Sequence, residues 1–247
     1  MKINIFPFLI IIPTLFFLSG CVTPEPISLL KGTEEQQRFW HQGQEFLTQS
    51  KGGITVELTY DREVGDYYVF DMGVYNESET ELNVDPEKYF YRPVMMQKDS
   101  MKIVKAENPE EHLLEIDKKL SRLQAEEINQ SISSALLTTA EITMSVAAEV
   151  SDMSQDKKNE MYRAHQEDRF YRSYQAAEIE YDQLDTQQQR EYWKTQTLRK
   201  TTLLPDNYIT GKTFFRKTLK ADEVILYLPL NDEIFSFKYN QKLVEVE

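Results

Sequence analysis

The stretch NPEEHLLEIDKKLSRL, residues 108–123, decides the fold because strand-like sequence ends just before it and helical sequence begins within it. Asn108 can cap a helix, and Pro109 suits the first helical position. The two glutamates that follow lie in the first turn, where the helix dipole favours acids. Apolar residues then recur, mostly every three or four positions, at Leu113, Ile116, Leu120, Leu123, Ile128, Ile132, Leu136, Ile142, Val146 and Val150. This spacing predicts one long amphipathic helix or two nearly continuous ones.

A second helical region follows a predicted turn at residues 151–156. Residues 157–194 are rich in Gln, Glu and Arg, and their packing candidates are Met161, Tyr171, Tyr174, Ile179, Tyr181 and Tyr192. We therefore predict that residues 107–196 form a helical hairpin of the coiled-coil type.

Strand-like sequence lies on both sides of this hairpin. Residues 54–60 alternate apolar and polar side chains, and apolar residues two positions apart mark residues 68–74. Further strands are predicted at residues 81–85, 89–94, 101–104, 201–204, 208–215, 224–230 and 234–239, with turns that include 61–65 and 76–80. Because an isolated hairpin is marginally stable, we expect early and late strands to pair. The prediction is an α+β fold, in which an antiparallel β-sandwich of residues 53–106 and 197–247 is interrupted by the helical hairpin.

Parts of the predicted sandwich resemble a known kind of domain. Residues 70–76, FDMGVYN, followed by residues 81–86, ELNVDP, resemble the central hairpin of immunoglobulin-like accessory domains in bacterial envelope lipoproteins. Residues 202–205 and 211–215 resemble later strands of such domains. The resemblance implies an immunoglobulin-like sandwich with a role in binding or assembly, and it supplies no catalytic residues. The helical insertion departs from the simple domain.

The N-terminus predicts export and lipidation. Residues 1–20 combine an early lysine with a long apolar run, which is typical of a secretory signal peptide. The run ends in Leu18-Ser19-Gly20-Cys21, which resembles the lipobox of bacterial lipoproteins and implies acyl chains such as palmitate on Cys21. Cys21 is the only cysteine, and lipidation would consume the single thiol of an exported chain. Lipid at this residue would hold the protein on a membrane without a spanning helix.

The residues after the lipobox predict location and a tether. Val22 stands where an aspartate often retains lipoproteins in the inner membrane, so the resemblance implies the outer membrane of the cell envelope rather than the inner one. Residues 21–52 are expected to form a lipidated tether and a short polar helix. This helix is predicted at residues 33–48, where three aromatic residues lie among many charges.

The composition excludes some partners. The chain has 41 acidic and 28 basic residues, which gives a formal net charge of -13. Removal of residues 1–20 would remove one lysine and no acid, so the net charge would become more negative by one unit. Nucleic acids and anionic membrane surfaces attract basic patches, so we expect neither as a partner. The 14 tyrosines and 13 phenylalanines favour packed sheets over disorder.

No motif predicts catalysis, a metal or a cofactor. His41, His112 and His165 are far apart in sequence, whereas a zinc hydrolase needs a cluster of ligands. Carboxylate pairs occur at residues 110–111 and 126–127 and at residues 178 and 180, but acids on helices usually face water. We therefore expect a protein that is not an enzyme. The alternative is an envelope enzyme that acts on glycans or peptides through these helix carboxylates.

Two parts of the hairpin are candidates for interaction. Residues 131–148 contain one charged residue, Glu141, and we expect them to be buried between the second helix and the sandwich. The alternatives are membrane insertion or self-association into a homo-oligomer, since small residues let helices approach closely. The candidate anchors for an unidentified protein partner are Tyr162, Phe170, Tyr171 and Tyr174, because aromatic residues dominate interface energies; the alternative is that they pack on the first helix. The sequence thus predicts a lipid-anchored envelope protein with a binding or assembly role.

Overall fold

The computed structural model describes residues 26–95, 102–151 and 153–245, and twelve strands and two long helices lie within these ranges. The strands are β1 Ile27–Gly32, β2 Arg38–His41, β3 Gln44–Lys51, β4 Ile54–Val64, β5 Tyr67–Asn76, β6 Leu82–Val84, β7 Phe90–Val94, β8 Val104–Lys105, β9 Thr201–Leu203, β10 Tyr208–Arg216, β11 Glu223–Leu230 and β12 Glu233–Val244. The helices are α1 Pro109–Glu149 and α2 Gln155–Gln196. The predicted mixture of strands and two long helices is confirmed. The predicted signal peptide of residues 1–20 and the predicted lipidation site, Cys21, lie outside the described residues.

The strands form two five-stranded sheets and one small pair. The first sheet has the order β1-β12-β11-β7-β8, and the second has the order β10-β5-β4-β3-β2. β6 pairs with β9 separately. Every pairing between these named strands is antiparallel, as predicted, and each large sheet combines strands from before and after the helices.

Both large sheets contribute to one hydrophobic core. Alternate residues of β5 point into it, and so do alternate residues of β12 from the other sheet. The rings of Phe70 and Tyr239 meet edge to face across the two sheets, with centroids 5.3 Å apart. The Tyr239 hydroxyl donates a hydrogen bond to the carbonyl oxygen of Leu58 at 3.3 Å, so this buried polar group is satisfied.

The short polar helix predicted at residues 33–48 is wrong, because the first part of the chain belongs to the sheets. β2 and β3 form a hairpin there, and Phe39 stacks on Phe46 directly across it, with ring centroids 5.2 Å apart. Gln42 and Gly43 both have positive φ, 48° and 83°, which suits a two-residue hairpin turn. The predicted tether of residues 21–52 is therefore largely sheet structure in the described part.

The predicted turn at residues 61–65 also lies elsewhere. β4 continues to Val64, and the chain turns at Gly65, which has a φ of 55°. The charged residues in this part of β4 are held by lysines: Asp61 accepts a hydrogen bond from Lys212 at 2.8 Å, and Glu63 accepts one from Lys217 at 2.7 Å. These ion pairs allow a polar segment to continue the strand.

The two helices are single, continuous and antiparallel. α1 begins where the sequence predicts, because the Asn108 side chain accepts a hydrogen bond from the backbone N–H of Glu110 at 3.0 Å. The helices have 41 and 42 residues, so each is about 60 Å long at 1.5 Å per residue. Two contacts show the antiparallel arrangement. Near the sheets, Asp117 at the start of α1 accepts a hydrogen bond from Arg190 at the end of α2. At the far end, Glu149 at the end of α1 accepts one from Tyr162 at the start of α2.

The expected burial of residues 131–148 is wrong. This stretch lies in the half of α1 that projects beyond the sheets, and most of its side chains are exposed. Within it, the buried residues are Glu141 and Ala148. The reason is the length of the helix: the hairpin contacts the sheets at its base, through Trp193 and Phe214, so the far half of α1 has only α2 to pack against.

Candidate partner surface on the helical hairpin

Aromatic stacking joins the base of the hairpin to the second sheet. The His112 ring of α1 lies 3.8 Å from the Trp193 ring of α2, and Trp193 lies 4.5 Å from Phe214 of β10, measured between ring centroids. Burial of the imidazole lowers the pKa of His112 below its ordinary value, and the nearby Glu107 opposes this effect more weakly. The base of the hairpin therefore packs on β10 through these rings.

An ion pair and a close backbone contact complete this base. The guanidinium of Arg199 donates two hydrogen bonds to the Glu110 carboxylate, at 2.8 and 2.6 Å, and this pairing lowers the pKa of Glu110. The backbone N–H of Leu198 donates to the carbonyl oxygen of Lys212 at 2.9 Å. Gly211 permits this approach, since a Cβ there would lie 2.6 Å from the Leu198 nitrogen.

The contact between the helices is polar in their far halves. Glu141 is buried and forms ion pairs with Arg172 and, at 3.4 Å, with Arg169. Arg172 also donates to the carbonyl oxygen of Ser134 at 3.2 Å, and Gln130 donates to the carbonyl oxygen of Arg172 at 3.0 Å. An open groove of about 410 Å³ lies here, lined by polar side chains of both helices. Polar groups thus face inward.

Tyr162 faces the first helix at the tip of the hairpin. Its hydroxyl donates a hydrogen bond to the Glu149 carboxylate at 2.9 Å, and Lys158 lies 3.5 Å from the same carboxylate. The hydrogen bond from Tyr162 is the main cause that lowers the pKa of Glu149, and the contact with Lys158 adds to it. The same hydrogen bond raises the pKa of Tyr162. The structure therefore separates Tyr162 from the other three predicted anchors.

Aromatic side chains line the outer side of α2. Phe170, Tyr174 and Tyr181 are 75%, 62% and 71% exposed, and Tyr171 beside them is also exposed. Phe170 lies two residues before Arg172, which contacts α1 with a side chain that is 11% exposed. A step of two residues is about 200° round the helix, so Phe170 points away from α1. We call Phe170, Tyr174, Tyr181 and Leu184 the aromatic stripe. Packing of these residues on α1 is thereby contradicted.

The sequence does not identify two members of the aromatic stripe as exposed. It predicts that Tyr181 packs inside the hairpin, and it predicts no role for Leu184. The signal that could have found them is spacing, because positions 170, 174, 177, 181 and 184 alternate steps of four and three. That repeat of 3.5 residues is the period of a seam between helices.

Aliphatic side chains line the outer side of α1. Six residues there are each more than half exposed: Ile128, Ile132, Leu136, Ile142, Val146 and Val150. We call them the aliphatic stripe. They lie on a side of α1 turned away from α2, since the central Thr139 is two residues, or about 200° round the helix, from the buried Glu141. The far half of α1 therefore exposes aliphatic side chains and buries the carboxylate of Glu141 against α2.

Histidines and acidic residues are scattered over the described part of the chain. The described residues include no group of three or more His, Cys, Asp and Glu residues placed to hold a metal ion. A cleft of about 400 Å³ beside the end of α2 contains Glu57 and Asp71, but Lys212 fills part of its wall and bonds Asp71 at 2.7 Å and Asp61 at 2.8 Å. The carboxylates of Asp61 and Asp71 are thus engaged in ion pairs, and Glu57 accepts a hydrogen bond from the Tyr75 hydroxyl at 3.1 Å.

Neither helix in the described part of the chain is long and apolar enough to cross a membrane. Comparison with protein-family models, with curated proteins and with solved structures finds no match to this chain.

Proposed function

We propose that this protein is a lipid-anchored protein of the bacterial cell envelope with a non-catalytic binding or assembly role, and that the aromatic stripe binds a partner protein. The observation that carries the proposal is the exposure of Phe170, Tyr174 and Tyr181 along one side of a long helix. Contiguous exposed apolar patches mark interaction sites, and buried tyrosines and phenylalanines supply much of the energy of protein interfaces.

In this proposal the two large sheets serve as an immunoglobulin-like scaffold. Supporting features are the antiparallel pairing and the shared aromatic core, including the contact between Phe70 and Tyr239. The packed base at His112, Trp193 and Phe214 connects this scaffold to the hairpin. A rigid base and a length of about 60 Å let the helices present the stripe away from the scaffold.

The lipid on Cys21 would hold this scaffold close to the membrane. Five residues separate Cys21 from Ile27, the first residue of β1, so the linking chain spans at most about 20 Å. The proposed location is the outer membrane, because Val22 follows the lipidated cysteine.

Site-specific photo-crosslinking in intact cells tests this proposal. A photoreactive residue at Tyr174 of the full-length protein is expected to capture one specific protein, identified by mass spectrometry. The same residue at Trp40, an exposed aromatic of β2, is the matched control and should not capture it. The double variant Phe170→Ala/Tyr181→Ala should reduce capture at least about tenfold, as expected for loss of interface anchors. Equal capture from Trp40, or capture unaffected by the double variant, would contradict the proposal.

A further inference from the structure

The side of α1 that carries the aliphatic stripe has the period of a helix that packs on another helix. Positions 128, 132, 135, 139, 142 and 146 alternate steps of four and three and carry Ile, Ile, Ala, Thr, Ile and Val. A sustained repeat of 3.5 residues keeps a seam facing a second helix, whereas a straight helix on a flat surface follows 3.6. Since α2 packs on a different side of α1, this seam has no partner within the described part of the chain.

The stripe is also symmetric along its own length. Ile128 and Val150 lie eleven residues on either side of Thr139, Ile132 and Val146 lie seven, and Leu136 and Ile142 lie three. In an antiparallel pair of identical helices related by a two-fold axis at Thr139, each large side chain therefore meets another large one. This exchange of equivalent contacts is what a two-fold interface between copies requires.

The charges allow two copies to approach at this place. The whole chain has a formal net charge of -13, so most of its surface repels a second copy. From residue 128 to residue 148 the only charged residue is Glu141, and its carboxylate is held by Arg172 and Arg169 on the inner side. Two such stripes meet without like charges opposite each other.

The exposed area is close to what a stable dimer needs. At roughly 100 Å² of apolar surface for each aliphatic side chain, the six residues offer on the order of 500 Å² per copy. Ala135, Thr139 and Thr143 on the same side extend this toward the roughly 800 Å² per partner of a standard interface.

We propose that the protein forms a two-fold symmetric dimer in which the aliphatic stripes of two α1 helices pack antiparallel, with the axis at Thr139. The occupant of the stripe is a second copy of this chain. The assembly is a four-helix arrangement that leaves both aromatic stripes outside, so this inference is independent of the proposed partner protein.

Cysteine crosslinking of the full-length, lipidated protein in cells gives a sharp test, because Cys21 is the only native cysteine and would be acylated. Thr139→Cys should crosslink with itself, since the two copies of this position meet at the axis. Ile132→Cys should not crosslink with itself, because the two copies lie about 20 Å apart in an antiparallel pair. Coexpressed Ile132→Cys and Val146→Cys chains should crosslink with each other.

A second variant separates a failed dimer from a failed fold. Leu136→Glu/Ile142→Glu changes two exposed residues of the stripe and should reduce the Thr139→Cys dimer at least about tenfold while photo-crosslinking from Tyr174 persists. Self-crosslinking at position 132 would indicate a parallel pair and overturn the proposal. Attachment of Thr139→Cys to another protein would also overturn it. The proposal would also be overturned if no dimer formed and membranes protected the cysteine of Thr139→Cys from a water-soluble maleimide.

Discussion

Glu141 of α1 forms a buried ion pair with Arg172 of α2, on the opposite side of α1 from the exposed Thr139. The arrangement inverts the usual pattern of a helical hairpin, in which apolar residues face inward. In their far halves the two helices contact each other through ion pairs and hydrogen bonds, while the aliphatic and aromatic stripes remain exposed.

Glu141→Leu is expected to destabilise the far half of the hairpin by about 1–3 kcal/mol. The substitution leaves Arg172 in its buried site with Asp168, 3.1 Å away, as the remaining carboxylate partner. Hydrogen exchange measured by mass spectrometry should therefore accelerate around residues 130–172 and stay unchanged in β5 and β12. Glu149→Gln at the exposed tip is the control and should change exchange far less. Unchanged exchange in Glu141→Leu would show that the pair contributes no net stability.

Gly211→Ala is expected to lower the free energy of unfolding by about 1–3 kcal/mol. A Cβ at this position would lie 2.6 Å from the backbone nitrogen of Leu198, so the strand or the end of the hairpin must move. Gly73→Ala on the neighbouring strand is the matched control, because the nearest atom there belongs to the Tyr75 side chain at 3.3 Å and can shift. Urea unfolding of both variants measures the difference, and equal losses would argue against a tight contact at Leu198.

Protonation of His112 is expected to destabilise the base of the hairpin. Burial lowers the pKa of its imidazole in the folded protein, so the unfolded chain takes up the proton at a higher pH, near 6.5. The free energy of unfolding should therefore be highest above this value and decline as the pH falls from about 7 to 5.

The variant His112→Phe keeps an aromatic ring against Trp193 and removes the titrating group. Its unfolding free energy should decline less over the same pH range than that of the native protein. His165→Gln, on the far part of α2, serves as the control for loss of a histidine. Parallel pH profiles for His112→Phe and the native protein would contradict the assignment.

Cys21→Ser is expected to abolish membrane attachment. The lipobox motif predicts that this thiol accepts the acyl chains, so the variant should incorporate no labelled fatty acid. After cell breakage it should be found in the soluble fraction and not with the membranes. Val22→Asp should retain the lipid but move the protein from the outer to the inner membrane fraction. Persistent membrane attachment of Cys21→Ser would require another anchor.

Local sequence signals located many of the elements. The start of α1 follows from Asn108 and Pro109, because capping depends on residues within one turn of each other. The strands β4 and β5 follow from alternation, since the pleat itself sends successive side chains to opposite faces. By contrast, β2 and β3 depend on the pairing of Phe39 with Phe46 across a turn. The many charged residues around these two rings obscure the strand pattern in the sequence.

The sequence by itself determined the two long helices, the alternating strands and the apolar periodicity of residues 128–150, because these depend on neighbours along the chain. Only the tertiary structure decided which face of each helix is covered. The contact of Glu141 with Arg172 turns the aliphatic and aromatic stripes outward, and the hydrogen bond of Tyr162 to Glu149 directs that tyrosine, which is still 36% exposed, toward the first helix. The physical reason is that burial depends on which element packs alongside a helix, and periodicity does not specify that neighbour.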